Sequence, residues 1–109
     1  FQMTGMELGT AVRYGLSPIV IVIDNRGFGT ERPMVDGAFN DVQPWEVSRL
    51  PTIFGAGRGY RVSTEKAFEA ALTSALADGG TLSIIHALID QGDISPALAR
   101  LTGELKRRV

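Results

Sequence analysis

The sequence predicts an α/β fold, in which helices cover both faces of a parallel sheet in a three-layer α/β/α arrangement. Two observations lead to this prediction. Short apolar segments of strand length alternate along the chain with segments of helical periodicity. In addition, Ile19–Ile23 contains only β-branched residues with no polar alternation, which predicts a strand buried on both faces. We therefore expect helical crossovers between the strands.

The first half of the chain contains one helix, one strand and one long loop. Apolar residues at helical spacing predict a short helix over Thr4–Tyr14. Ser17-Pro18 ends the turn after it, and the strand Ile19–Ile23 follows. The segment Asp24–Asp41 has no clear period and includes several glycines, so we expect an ordered loop. Loops of this length in compact domains are usually functional or disordered.

The second half continues the alternation, and several elements carry a local signal. Thr64 is placed to cap a helix that Gly79-Gly80 would end. In chain order we predict short helical turns over Pro44–Phe54, a strand over Tyr60–Ser63, a helix over Glu65–Ala77, a strand over Leu82–Ile89 and a helix from Ser95-Pro96.

Charge and composition exclude several classes of partner and site. The 109 residues carry a formal net charge of -1, and the basic cluster Lys106-Arg107-Arg108 suits the C-terminal end of a helix. We therefore expect neither nucleic acid nor a membrane as a partner. We also expect a cytoplasmic protein. The apolar run Ile19–Ile23 is far shorter than the roughly 20 residues of a membrane span. The absence of cysteine excludes disulfides, thiolate catalysis and Cys-based zinc sites.

The segment Asp24-Asn25-Arg26-Gly27 is the first candidate site, because it follows a predicted parallel strand directly. Ligands of such sheets bind beyond the carboxyl ends of the strands. Mg²⁺ prefers about six oxygen ligands. The Asn25 side-chain oxygen and the Gly27 backbone carbonyl are suitable donors. The alternative is that the segment is only a turn that ends the strand.

Two stretches of the first 25 residues resemble the diphosphate-binding motif of thiamine diphosphate enzymes. They are Gln2–Ala11 and Pro18–Asn25. The family motif opens with Gly-Asp-Gly and closes with Asn-Asn at the end of a strand. The resemblance implies that Asn25 and the Gly27 carbonyl bind Mg²⁺, with Asp24 in place of the usual first Asn. It also implies that residues 1–109 are a partial thiamine diphosphate-binding domain, whose Gly-Asp-Gly would precede Phe1.

The loop that follows is similar to one in pyruvate and indolepyruvate decarboxylases. Gly27–Glu31 resembles their Gly-Tyr-Thr-aliphatic-Glu stretch, and Phe39–Val42, Trp45 and Leu50–Ala56 match the segments after it. The resemblance implies that Glu31 is catalytic, hydrogen-bonding the 2-oxo acid and managing protons after CO₂ leaves. The alternative for Glu31 is a solvated residue paired with Arg32 or Arg26. The cofactor-binding residues implied are Gln2, Met3, Thr4, Asn25, Gly27, Phe28, Gly29 and Thr30.

This resemblance implies an intact enzyme that converts a 2-oxo acid into an aldehyde and CO₂, using thiamine diphosphate and Mg²⁺. The remaining domains and a homodimer or homotetramer would complete it. We expect the 109 residues alone to be inactive, since the glutamate that activates the cofactor belongs to another domain. Phe28 lacks the usual Tyr hydroxyl and Thr30 is smaller than the usual aliphatic residue, so the substrate stays open. The alternatives are a carboligating enzyme resembling acetolactate synthase and a non-enzymatic α/β binding module.

Other conspicuous residues have simpler interpretations. His86 lies among apolar residues of a predicted strand, which favours a buried structural role. Met6, Trp45 and Phe54 are predicted to belong to the core. The backbone N–H groups at the start of the helix near Thr4 would face the diphosphate, an arrangement that favours an anion.

Overall fold

A computed structural model describes residues 1–108. For residue 108 it gives only the secondary structure, which is helical. The chain divides into two compact units, which we call the first unit (residues 1–23 and 46–88) and the second unit (residues 24–45 and the segment from 89 onward). Single 3₁₀ turns lie at Gly5–Glu7, Ala38–Asn40 and Val47–Arg49. The helices and strands are α1 (Leu8–Arg13), β1 (Ile19–Asp24), α2 (Leu50–Phe54), β2 (Arg58–Val62), α3 (Glu65–Ala77), β3 (Ser83–Leu88) and α4 (Pro96–Arg108).

The three strands form one parallel sheet with the order β1-β3-β2. Strands β2 and β3 pair in parallel, with Tyr60 opposite Ile85. Along β1 and β3, the Ser83 N–H donates to the Pro18 carbonyl at 3.0 Å and the Ile89 N–H donates to the Asp24 carbonyl at 3.0 Å. From the first of these hydrogen bonds to the second, the donor and the acceptor both move toward the C-terminus, as parallel strands require. The predicted α/β class with a parallel sheet is therefore confirmed.

Helices cover the two faces of this sheet and give it three layers. On one face, Val22 of β1 and Ile84 of β3 pack with Leu50, against partly buried residues of α1 and α2. On the other face, Ile85 packs with Ala71 of α3 and with Val62. Both clusters exclude water from β3, which is the central strand. The predicted three-layer arrangement is confirmed for this part of the fold.

The prediction that β1 is buried on both faces is wrong for this chain. Val22 is buried, whereas Ile21 is 45% exposed and Ile23 is 59% exposed. The reason is that α3 packs over β2 and β3, whereas β1 lies at the opposite edge of the sheet from β2. In β1, only Ile19, at the start of the strand, packs against the cluster that contains Ala71 of α3.

Local signals set the ends of several elements. Helix α3 has the predicted bounds, and the Thr64 hydroxyl accepts a hydrogen bond from the Ala67 N–H at 3.1 Å. Helices α1 and α2 each end before a left-handed glycine, Gly15 with φ 65° and Gly55 with φ 77°. Strand β2 begins at Arg58, two residues before the predicted start.

The large side chains predicted for the core have mixed outcomes. Phe54 packs against the core, whereas Met6 and Trp45 are exposed, so the prediction is wrong for those two. His86 is buried in β3, as predicted. Among residues 1–108, no helix combines the length and the apolar character that crossing a membrane requires.

Candidate functional site

The segment after β1 turns sharply because two side chains hydrogen-bond to the backbone ahead of them. The Asp24 carboxylate accepts the Arg26 N–H at 2.9 Å, and the Asn25 side-chain oxygen accepts the Gly27 N–H at 3.3 Å. Arg26 has a φ of 59°, in the left-handed region that non-glycine residues seldom adopt. Backbone strain of this kind is concentrated at functional sites. The turn places Asn25 and Gly27 at the carboxyl end of β1.

The loop after this turn returns to it and is closed by backbone hydrogen bonds. Gly27 and Asp41 form an isolated antiparallel bridge. The Phe28 N–H donates to the Asn40 carbonyl at 2.8 Å, and the Val42 N–H donates to the Arg26 carbonyl at 3.2 Å. The segment predicted as a long ordered loop is therefore ordered by its own contacts.

Five of the predicted cofactor-binding residues line a single cavity of about 310 Å³ in the second unit, which we call the first cavity. These residues are Asn25, Gly27, Phe28, Gly29 and Thr30. A Cβ built on Gly29 would overlap the side-chain nitrogen of Asn25, so the glycine keeps the space beside that amide open.

Another part of the lining of this cavity was missed by the sequence reasoning. It consists of Asp93, Ile94, Ser95 and Leu98, around the start of α4. The Ser95 hydroxyl accepts the Leu98 N–H at 3.1 Å and so caps the helix. The Ser95-Pro96 pair does mark a helix start in the sequence. Nothing in that local signal shows that the helix start faces the loop after β1.

Glu31 lies on the same loop but lines a different cavity. This second cavity has a volume of about 650 Å³ and largely apolar walls. The Glu31 N–H donates to the Phe28 carbonyl at 3.0 Å, and its own carbonyl accepts the Met34 N–H at 2.9 Å. This helical turn directs residues 30 and 31 to different sides. The other lining residues of the second cavity are Met34, Val35, Phe39, Asn40, Leu105 and Lys106.

The remaining predicted cofactor residues, Gln2, Met3 and Thr4, belong to the first unit. They form the turn that precedes α1, where the Thr4 N–H donates to the Phe1 carbonyl at 3.1 Å. Met3 is 97% exposed, and the Thr4 side chain makes no capping hydrogen bond to the following helical turn. The Met3 side chain is thus fully accessible within the first unit.

Arg32 carries the strongest electrostatic contacts of the loop, and they differ from those considered from the sequence. Its guanidinium binds Asp36 at 2.9 Å and Asp41 at 2.6 Å, rather than Glu31. The hydrogen bond with Asp41 is the largest of the contacts that raise the pKa of Arg32. The hydrogen bond from Arg32, followed by those from the Gly37 N–H and Asn40, lowers the pKa of Asp36 below its ordinary value of 3.8.

The oxygen atoms available at the first cavity are of the type that binds a hard cation such as Mg²⁺. Within residues 1–108, no group of three or more His, Asp or Glu side chains is arranged to hold a metal. A site here would therefore rest on the amide oxygen of Asn25 and the carbonyl of Gly27, both neutral oxygen donors. Mg²⁺ accepts such ligands together with phosphate oxygens and water. The two donors thus fit a metal that a bound diphosphate also coordinates.

Comparisons with known proteins identify the family to which the chain is similar. A family model described as "Thiamine pyrophosphate enzyme, C-terminal TPP binding domain" matches residues 1–87. An indole-3-pyruvate decarboxylase of Azospirillum brasilense is 40% identical over 108 residues, which cover 98% of this chain and 20% of the relative.

Two further relatives have similar descriptions. A pyruvate decarboxylase of Aspergillus terreus is 47% identical over 68 residues, 58% of this chain and 12% of the relative. An alpha-keto-acid decarboxylase of Mycobacterium tuberculosis is 31% identical over 108 residues, 95% of this chain and 19% of the relative. The chain thus spans at most about a fifth of the length of these relatives.

Proposed function

Because the chain belongs to the thiamine pyrophosphate enzymes, as their C-terminal TPP-binding domain, we propose that it is part of a Mg²⁺-dependent 2-oxo-acid decarboxylase. The observation that carries the proposal is that five predicted cofactor-binding residues of the loop Asn25–Thr30 line one cavity at the carboxyl end of β1. The names of the relatives support the reaction class. The substrate would be a 2-oxo acid, and the products an aldehyde and CO₂.

The loop after β1 would hold the metal and the diphosphate. Asn25 and the Gly27 carbonyl would bind Mg²⁺, while Phe28, Gly29 and Thr30 would line the cofactor's place in the same cavity. Gln2, Met3 and Thr4 would contribute from the turn before α1. When bound, thiamine diphosphate supplies the electron sink that decarboxylation needs, and the protein supplies orientation and charge.

Glu31 would act on the substrate rather than on the metal. Glu31 lines the second cavity, whose walls include Met34, Val35 and Phe39. Glu31 is exposed at this cavity, so a substrate could reach its carboxyl group. We propose that Glu31 hydrogen-bonds the 2-oxo acid and manages the proton after CO₂ leaves.

The intact protein would contain further domains and form a homodimer or homotetramer. The isolated 109 residues would bind the cofactor weakly and would not turn over. Aldehyde formation by the isolated chain would contradict this part of the proposal.

The test is a cofactor titration combined with product analysis on the intact protein. Isothermal calorimetry should detect thiamine diphosphate binding that depends on Mg²⁺. Incubation with pyruvate, phenylpyruvate and indolepyruvate, each in turn, should yield an aldehyde and CO₂ from at least one of them. Absence of cofactor binding would overturn the proposal as a whole. Cofactor binding with a 2-hydroxy-3-oxo acid as the product would instead indicate a carboligating enzyme.

A further inference from the structure

Gly27 has no room for a side chain because the head group of Arg32 lies against its backbone. A Cβ built on Gly27 would overlap Nη2 of Arg32 and would lie 2.5 Å from the Asn40 carbonyl oxygen. Gly27 is not among the residues with positive φ, so the glycine serves this close approach and not an unusual backbone conformation. The guanidinium of Arg32 and the Gly27 backbone are therefore in direct contact.

The guanidinium of Arg32 is held by two carboxylates at once. Nη1 donates to Asp36 at 2.9 Å and Nη2 donates to Asp41 at 2.6 Å, with a longer contact of 3.4 Å from Nη2 to the Asn40 carbonyl. The Arg32 side chain is only 13% exposed. The planar fork of arginine presents donors in fixed directions, which a lysine ammonium group cannot reproduce.

One of these carboxylates belongs to the residue that closes the loop. Asp41 is the bridge partner of Gly27, so the ion pair and the backbone bridge constrain the same two segments. The Asp41 carboxylate also accepts a hydrogen bond from the Gln91 side chain at 3.0 Å. Gln91 lies two residues before Asp93, which lines the first cavity. Arg32 thus binds the carboxylate through which the loop after β1 also contacts Gln91.

We propose that Arg32 is a positioning residue for the metal and diphosphate loop. Its guanidinium, fixed by Asp36 and Asp41, sets the orientation of the Gly27 carbonyl that would bind Mg²⁺. This inference rests on the proposed function, and Arg32 acts through Gly27 without touching the metal. Replacement of Arg32 would leave two facing carboxylates without their shared partner and would remove the group that lies against the Gly27 backbone.

The test measures Mg²⁺ affinity in the intact protein with thiamine diphosphate present in excess. Arg32→Gln should raise the Kd for Mg²⁺ by about tenfold or more, the usual effect of losing a group that orients a metal ligand. Arg32→Lys should recover only part of the loss, because it restores the charge without the fork. The matched control is Arg61→Gln, which removes the exposed ion pair of Arg61 with Glu46 at 3.4 Å. It should leave the Mg²⁺ affinity unchanged.

A thermal scan without Mg²⁺ and cofactor separates positioning from stability. If Arg32→Gln lowers the Tm but binds Mg²⁺ as tightly as Arg61→Gln does, Arg32 is merely structural and the inference is wrong. If Arg32→Gln does not fold, Asp36→Asn and Asp41→Asn each remove one of the two ion pairs and should each weaken Mg²⁺ binding. Wild-type affinity in both would also contradict the inference.

A double variant tests the pathway through Asp41. Arg32→Gln combined with Asp41→Asn should bind Mg²⁺ no more weakly than Arg32→Gln alone, because the two changes remove the same interaction. Fully additive losses would contradict the shared pathway. Failure of the wild-type protein to bind Mg²⁺ and thiamine diphosphate would instead overturn the proposed function.

Discussion

Asp36 occupies the turn between Glu31 and the bridge residue Asp41, and three groups donate hydrogen bonds to its carboxylate. They are Arg32 at 2.9 Å, the Gly37 N–H at 2.8 Å and the Asn40 side chain at 3.5 Å. All three favour the charged form, which explains why the pKa of this carboxyl group is lowered in the fold.

The lowered pKa of Asp36 predicts an acid-sensitive loop. The stability that this carboxylate contributes is fully present above the unfolded pKa near 3.8 and is lost as the pH falls through the lower, folded pKa. In an NMR titration of the intact, selectively labelled protein, Asp36 should titrate below 3.8. Arg32→Gln should move the midpoint back toward that ordinary value. A wild-type midpoint at or above it would contradict the ion pair.

Gly59 offers a residue-level test of packing in β2. A Cβ at this position would overlap the carbonyl oxygen of Ser48 and lie 2.6 Å from its carbon, so backbone must shift to admit it. Gly59→Ala should therefore destabilise the intact protein by about 1–3 kcal/mol, the usual cost of overpacking. The measurement is denaturant unfolding followed by circular dichroism.

Gly80→Ala is the matched control for that substitution. No heavy atom lies within 4 Å of a Cβ at Gly80, so the stability should change by less than about 0.5 kcal/mol. Equal effects of the two substitutions would show that the approach of Ser48 to Gly59 is not what limits this position.

At the scale of elements, prediction succeeded where the signal is local. Helix α3 combines a cap at Thr64 with a helical apolar stripe, and its bounds agree with those predicted from the sequence. Strand β1 shows the opposite case. Its composition predicts burial on both faces, but whether a strand lies at the edge of a sheet depends on strand order. Strand order is a tertiary property that the composition of Ile19–Ile23 does not contain.

The cap of α3 predicts a measurable contribution to stability. Thr64→Ala removes the hydroxyl that accepts the Ala67 N–H at 3.1 Å and leaves that donor without its partner at the helix start. The free energy of unfolding of the intact protein should fall by about 1 kcal/mol. Thr64→Ser keeps an acceptor oxygen and should retain most of the stability. A loss with Ser as large as with Ala would indicate that the Thr methyl group matters instead.

At the scale of the whole molecule, the sequence predicts the loop side of the candidate site and misses the rest. Asn25 to Thr30 follow one strand in continuous order, and a family resemblance identifies them without knowledge of distant contacts. Asp93 and Ser95 are brought to the same cavity only by folding. The partners of Arg32 were missed for a similar reason, since the choice among nearby carboxylates depends on how the loop closes at Asp41.

The two cavities predict that cofactor binding and turnover can be separated by mutation. Asn25 lines one cavity and Glu31 the other, although both lie on one loop. In the intact protein, Asn25→Ala should raise the Kd for Mg²⁺ by about tenfold or more, because it removes a proposed ligand and its contact with the Gly27 N–H.

Glu31→Gln should instead lower kcat by roughly 10²–10⁴-fold, the range for loss of a group that transfers protons. It should leave the Mg²⁺ affinity unchanged, since the Glu31 side chain does not line the cavity that holds the proposed ligands. Calorimetric titration and steady-state kinetics on both variants provide the comparison. If Glu31→Gln weakened Mg²⁺ binding as much as Asn25→Ala does, the cavities would act as one site, and Glu31 would belong to the binding of the cofactor.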